Sequence, residues 1–410
     1  MKHVLIIVEN LPVPFDRRVW QEAGSLASSG IKVSIICPRM KGYTKSFECI
    51  DNIDIYRHSL PIEAKGAAGY IIEYLIAFFW QLYLSWKIFF KRKFDVIHGC
   101  NPPDLIFLVA LFFKVFGVKF VFDHHDINPE LYIAKYSKKG LFYRLLLFVE
   151  KLTFKVADYS IATNESYKHI ALTRGNMPED RVQVIRSGPN LNRLKISQGD
   201  NKYKKGRRFL VGYVGVIGEQ EGLDLLLKSV QSIIKVRQDI QFAIVGGGTE
   251  LLKIKSLAKE LEVSEFVDFY GRVDDTILIE ILNTADVCVN PDRPTIMNNL
   301  STMNKIMEYM ALRKPIVQYS LKEGQFSAQK ASLYASNTDP EDFANKVVYL
   351  IDNVDLRNEM GEYGYRRVVN ELSWEYESKR LIAFYNRILE RDDRFSLNET
   401  VSPSVLSSTD

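Results

Sequence analysis

The clearest chemistry in this 410-residue chain lies between residues 299 and 317, NLSTMNKIMEYMALRKPIV. Met303, Ile306, Met307 and Met310 recur at i, i+3, i+4 and i+7, which makes one apolar stripe of a helix. The same winding gathers Ser301, Lys305 and Glu308 on the opposite side. Ser301 or Thr302 suits the helix start, and Arg313, Lys314 and Pro315 suit its end. The free N–H groups and partial positive charge of such an N-terminus attract a phosphate. Lys305, one turn in, adds a full charge, and the Glu308 carboxylate is able to accept two hydroxyl protons from a ribose. For an isolated helix, an ordinary solvated face accounts for the same residues. The flanking strands ADVCVNP (285–291) and PIVQY (315–319) tip the balance, because open α/β sheets bind ligands at the carboxyl ends of parallel strands.

The elements that must position these groups alternate along the whole chain. VLIIVEN (4–10), VSIICP (33–38), IDIYRH, DVIHGC, KFVFDHHD, YSIATN and VQVIRSG read as strands of one doubly wound domain. Their ends carry Asn10, Asp16 and Arg17; His98 and Asn101; His125 and Asp126; Asn164 and Glu165; and Ser187 and Asn190. A basic stretch, 191–208, reads as a linker from this first domain, 1–190. A second series of strands and helices follows over 209–373. Its first turn carries Gly212, Gly215, Gly218 and Gly222, whose exposed N–H groups would suit a phosphate. Its second turn carries Gly246, Gly247 and Gly248, for which packing is the stronger reading. A final helix is expected over 374–390 and a disordered polar tail over 391–410.

Composition bounds the alternatives. The chain is 47% hydrophobic and 25% charged, enough for two globular cores, and a net charge of +4 gives no reason to expect nucleic acid. Its four cysteines are scattered and form no CxxC pair, so neither a zinc site nor a disulfide framework is expected. The short apolar run in MKHVLIIVENLPVP reads as a buried strand and not as a signal peptide. YIIEYLIAFFWQLYLSWKIFFKRK (70–93) is long and aromatic, but it contains Glu73, Gln81 and Lys87, which argue against a spanning helix. Its Trp80, Trp86 and terminal cations suit a membrane interface, and residues 136–155 have a similar character. Packing of both helices inside the first domain is the competing reading.

Ser301, Lys305, Glu308, Tyr309, Met310, Ala311 and Pro315 resemble the nucleotide-binding segment of retaining glycosyltransferases of the GT4 type, which have the GT-B fold. FDHHDINPELY (122–132) is similar to that family's HD-x-x-PE-x-Y segment. The loop NLPVPFDRRVWQEA resembles a branch that makes bacterial surface polysaccharides. The resemblance covers most of 1–390. It implies an α/β GT-B architecture, with two Rossmann-like domains facing across a cleft and the last helix crossing back to the first. It implies His125 and Lys305 as catalytic groups; Arg272 in YGRV joins them as a candidate to meet the phosphate charge, beside Lys305 and the helix dipole. Gly215, Gly218, Glu219, Gly246, Gly248, Asn299, Ser301, Thr302, Lys305 and Glu308 would bind the sugar nucleotide, and Asn10, Asp16, Arg17, Asn101 and Asp126 would face the acceptor. For Asp16 and Arg17, contact with an acceptor phosphate and a buried ion pair that shapes the loop are equally good readings.

Two departures stand out. The family's first glutamate falls at Leu300, its role lost or covered by Asn298 or Asn299. The usual Arg and Lys of the first glycine turn are replaced by Val216 and Gln220–Glu221. The implied reaction is retaining transfer of a sugar from a nucleotide diphosphate sugar to a lipid-linked or glycan acceptor, at the inner membrane face, with no metal and no cofactor beyond the donor substrate. A GT-B-fold epimerase and a non-catalytic polysaccharide-assembly partner are the alternatives, and the two departures favour the latter.

Overall fold

Runs of buried β-branched and apolar residues build two sheets. The computed structural model describes residues 1–59, 66–136, 138–336 and 338–398, with the backbone alone for 66–71 and 391–398. The first sheet holds β1 (His3–Val8), β2 (Lys32–Pro38), β3 (Phe47–Ile50), β4 (Ile53–His58), β5 (Val96–Cys100), β6 (Lys119–His124), β7 (Tyr159–Ala162) and β8 (Val182–Val184), in the order β3-β4-β2-β1-β5-β6-β7-β8. The second holds β9 (Phe209–Val214), β10 (Ile240–Val245), β11 (Val267–Gly271), β12 (Val287–Asn290), β13 (Ile316–Tyr319) and β14 (Ser332–Ala335), in the order β11-β10-β9-β12-β13-β14. The pairings are parallel apart from β3 with β4. Strands such as β1 are buried on both faces because helices cover both sides, which is why they read as continuous apolar runs. Two sheets of this kind make the expected α/β, GT-B architecture.

In the first half the helices are α1 (Arg17–Ser28), α2 (Gly66–Lys91), α3 (Phe107–Lys114), α4 (Asn128–Tyr136), α5 (Leu141–Val156) and α6 (Glu165–Thr173). In the second they are α7 (Leu223–Ile234), α8 (Leu251–Glu260), α9 (Asp275–Thr284), α10 (Ile296–Leu300), α11 (Asn304–Ala311), α12 (Lys322–Ala328), α13 (Pro340–Asp352), α14 (Val354–Arg367) and α15 (Trp374–Asn398). The edge strand β3 was not foreseen. Its two-residue turn, Asp51 and Asn52 at φ 51° and 63°, is the left-handed hairpin type that Asp and Asn tolerate.

Three further differences concern the site. The expected single helix around Ser301 is two helices, α10 and α11. Met303 caps α11 without a side-chain bond, so neither Ser301 nor Thr302 is its N-cap. Both hydroxyls are drawn away by the first half. Ser301 Oγ lies 3.0 Å from the Tyr167 hydroxyl, and Thr302 Oγ1 accepts from Asn164 Nδ2 at 3.0 Å. Residues 191–208 are not loose. Ser197 N donates to Asn283, Asp200 N to Thr284, and Tyr203 is buried against the second half. The last helix, α15, runs past Leu389 to Asn398 and inserts Leu381, Phe384, Tyr385 and Ile388 into the first half's core. The remainder of the polar tail, 399–410, lies outside the described residues.

Candidate functional site

A cavity of about 960 Å³ lies between the halves. The residues after the strand carboxyl ends line it. Arg18 follows β1, His125 and Asp126 follow β6, Thr163 follows β7 and Ser187 follows β8. Across from them stand Val216 and Gly218 to Glu221 after β9, Gly247 to Glu250 after β10, and Arg272 after β11. The wall is completed by Lys135 and Tyr136 of α4 and by Met297, Asn298 and Ser301 to Asn304.

The side of the first half is built on one buried guanidinium. Arg18 Nη2 sits 3.0 Å from Asp123 Oδ1 and 3.0 Å from Glu22 Oε1, while Nη1 donates to Ile185 O and Ser187 Oγ. Its Nε–H reaches His125 Nε2 at 2.9 Å, and Asp123 Oδ2 makes a short contact with the same ring nitrogen. That nitrogen carries no proton when it accepts from Arg18 and one when it donates to Asp123. Either state holds the ring in place and leaves Nδ1 for a ligand. Burial opposes ionisation of Asp123, but Arg18 and His125 outweigh it and hold the carboxyl well below its ordinary range. Burial pushes Glu22 well above its own. His125 takes Asp123 and not its neighbour Asp126, because Asp123, last but one of β6, is buried beside His98 of β5. Asp126 lines the cavity by itself, and burial raises its pKa.

Asn101 braces this loop. Its Oδ1 accepts the backbone N–H of His125 (2.6 Å) and of Asp126 (3.1 Å), and its Nδ2 donates to Asp126 O at 2.6 Å. Asn10 is exposed and lies outside the cavity wall. Asp16 and Arg17, at the start of α1, do not form an ion pair with each other. Asp16 accepts from Val19 N at 3.1 Å as the cap of α1. Arg17, 54% exposed, does not pair with it but crosses to Asp275 at 2.6 Å and Glu308 at 3.5 Å. The cap geometry turns Asp16 onto its own helix, so the two side chains part.

On the second half's side, Gly218, Glu219 and Gly248 line the cavity, and Gly215 and Gly246 stand behind them. Gly246 and Gly248 are required by close approach: a Cβ on Gly246 would fall 1.7 Å from Gly215 O, and one on Gly248 would fall 2.3 Å from Ile217 O. The β9 and β10 turns thus lie against one another, which agrees with packing as the main role of the second turn. Arg272 is exposed on the wall and has no acidic partner among the described residues. Lys305 does not reach the wall. Its Nζ pairs with buried Asp292 at 2.7 Å and lies 4.9 Å over the Tyr213 ring. Glu308 also stands off the wall and pairs with Arg193 at 2.8 Å. Asn299 Oδ1 accepts from Lys322 N at 2.9 Å, tying α10 to α12, and Asn298 is the one that faces the cavity. Leu300, where the family has its first glutamate, packs with Met297 against the first half's apolar core. An acid there would lie against that apolar face.

Sequence reasoning passed over Arg18, Glu22 and Asp123. The Arg18/Glu22 spacing of four on a helix was visible, but such a pair is ordinarily a surface ion pair. Glu22, His98, Cys100 and Asp123 bring metal-ligand atom types within 4.8 Å of one another. Arg18 already stands 3.0 Å from both carboxylates as their cation, so the set does not fit a metal ion.

Residues 16–193 match the family description "Glycosyltransferase Family 4", and residues 208–353 match "Glycosyl transferases group 1". A capsular polysaccharide biosynthesis glycosyltransferase of Staphylococcus aureus, CapM, is 25% identical over 325 residues, 75% of this chain and 80% of its own. Sucrose-phosphate synthase from Thermosynechococcus elongatus superposes with a TM-score of 0.79 at 18% identity, over 95% of this chain and all of the other. Anabaena HepE, solved with UDP and glucose, gives 0.70 at 13% identity, over 94% of this chain and all of HepE.

Proposed function

Because this chain belongs to the GT4-type glycosyltransferases of the GT-B fold, and is a glycosyltransferase of polysaccharide biosynthesis, we propose that it moves a sugar from a nucleotide diphosphate sugar to a lipid-linked or glycan acceptor, with retention. The observation that carries the reading is the cavity itself. It joins a fixed imidazole from one half to glycine turns and, from the other, a guanidinium with no acidic partner among the described residues. HepE, of the same fold, was solved with UDP and glucose.

The reacting carbon gains cationic character as the nucleoside diphosphate departs, so fixed positive charge at the leaving phosphates lowers the barrier. In this chain Arg272 and Lys135 are the wall cations available for that work. They offset the Val216 and Gln220–Glu221 replacements. Lys305 acts from behind Gly215, its Nζ 3.5 Å from where a Cβ on that glycine would stand. Glu308 takes the ribose by exchanging its Arg193 contact. Incubation with a panel of nucleotide sugars and membrane lipids separates the readings. Transfer of label to lipid or glycan is expected; conversion of the free nucleotide sugar would make the chain an epimerase, and neither transfer nor conversion a non-catalytic partner.

Calorimetry tests the binding roles. Arg272→Ala is expected to weaken a nucleoside diphosphate by about tenfold or more while sparing the nucleoside, the value of one charge-assisted bond, and Lys305→Ala to weaken the diphosphate more than the nucleoside through the charge lost behind Gly215. Glu308→Ala is expected to weaken both ligands. Wild-type affinities in all three folded variants would refute the assignment.

The acceptor side points to a lipid surface. No helix among the described residues is long and apolar enough to cross a membrane. Even so, α2 exposes Phe79 (64%), Tyr83 and Phe90 (80%), and α5 exposes Leu141, Phe142, Leu145 and Phe148. Trp86 packs inward, its ring 4.6 Å from that of Phe113, whereas Trp80 is 40% exposed. Lys91, Arg92 and Lys93 are exposed at the helix end. This arrangement supports peripheral attachment at the cytoplasmic face of the membrane. Replacing the three cations with glutamate should lower sedimentation with anionic vesicles, as should added salt. Equal sedimentation of wild type and variant would remove the membrane from the proposal.

A further inference from the structure

We propose that Tyr385, on the helix that returns from the second half, is a positioning residue for His125, acting through His98 and Asp123. The proposal rests on the reading of His125 as the group at the reacting sugar. Tyr385 is fully buried and its hydroxyl lies 2.6 Å from His98 Nδ1, with the two rings stacked at 7°. His98 Nε2 lies 3.1 Å from Asp123 Oδ2, the oxygen that touches His125. Glu22 Oε2, 3.6 Å from His98 Nε2, and Cys100 Sγ, 4.0 Å from Asp123 Oδ2, complete the surroundings.

The direction of each bond follows from charge. Burial drives the Tyr385 pKa up, so the hydroxyl keeps its proton and donates. Burial also lowers the pKa of His98, so the ring is neutral and has one N–H. With Nδ1 accepting from tyrosine, that N–H is on Nε2 and donates to Asp123. The reverse arrangement would aim a lone pair at an ionised carboxylate. Asp123 is then held from two sides, by Arg18 at Oδ1 and by His98 at Oδ2, and His125 rests on it. A phenylalanine at 385 would serve the packing with Phe384, Leu381 and Ile388 equally well. The hydroxyl is what the core does not require.

The test uses the full chain. In Tyr385→Phe, nitrogen NMR should show His98 passing from a single Nε2–H tautomer to a mixture, with the His125 ring signals displaced. Transfer should lose roughly tenfold in kcat at unchanged KM for the sugar nucleotide, since misplacing a reacting group costs rate without costing affinity. Trp374→Phe is the control. It breaks another α15 bond, Trp374 Nε1 to Ser25 Oγ at 3.0 Å, away from this chain of contacts, and should lower the melting temperature while leaving kcat and the His125 signals alone. Wild-type kcat and unmoved His125 signals in Tyr385→Phe, or a loss that only follows the folded fraction, would overturn the proposal. A wild-type chain that transfers nothing would instead overturn the function reading, and the ring signals would still decide whether Tyr385 governs His125.

Discussion

His125→Ala is expected to lose about 10²-fold or more in sugar transfer, the scale of one preorganised polar group at a developing charge. Its melting temperature should fall by a few degrees at most, about the shift that 1 kcal/mol produces in domains of this size. The side chain is 15% exposed on the cavity wall, so water replaces it beside Arg18 and Asp123. A hydrogen bond that strengthens as the anomeric carbon becomes cationic lowers the barrier; one of constant strength does not. The neighbour behaves oppositely. His124 is fully buried, its ring centroid 5.1–5.3 Å from those of Phe122, Phe154 and Tyr167, and burial pushes its pKa down to about 3. His124→Ala opens a core cavity costing about 2–5 kcal/mol, with near-normal transfer per folded molecule. Paired melting curves and transfer rates on the same preparations check both expectations. A His125→Ala variant that melts early and transfers normally would return that residue to the core.

Arg18→Met should cost both stability and activity. It strips the cation from the ionised carboxylate of Asp123, which is completely buried, and breaking such a pair costs about 3–5 kcal/mol. For a two-domain chain that is on the order of 10 °C in the first half's transition. Transfer should collapse as well, because His125 loses one of its two anchors. The penalty must depend on pH. In the wild type Asp123 is held below its unfolded value of about 3.9. That contribution is complete above the unfolded pKa and is lost as pH falls toward the folded one. The stability gap between wild type and Arg18→Met therefore narrows below about pH 4 and is widest near neutrality. Denaturant curves across that range check it. A gap that is flat or widens on acidification would mean the guanidinium does not neutralise Asp123.

The sequence by itself determined the fold class and the seams of this protein. Unbroken runs such as VLIIV and VSIICP can only be buried on both faces, and their alternation with amphipathic helices demands parallel sheets. The apolar stripe of Ile306, Met307 and Met310 is buried as its spacing requires, and the residues after the strands do form the cavity wall. Local pattern also contains the hairpin turn, since Asp51 and Asn52 tolerate the left-handed backbone it needs. What the tertiary structure decided is which partner each polar group takes. Spacing along α1 shows Arg18 and Glu22 as one more helix pair. Only the packing of α1 against the ends of β6 and β8 makes Arg18 the buried cation of the site, and the turn after β6 gives His125 to Asp123. Closure of the halves likewise moves Ser301 to Tyr167, Thr302 to Asn164 and Arg17 to Asp275. A hydroxyl or guanidinium bonds to whatever desolvated partner packing brings within about 3 Å, and those partners lie more than a hundred residues away along the chain, where no local periodicity carries information about them.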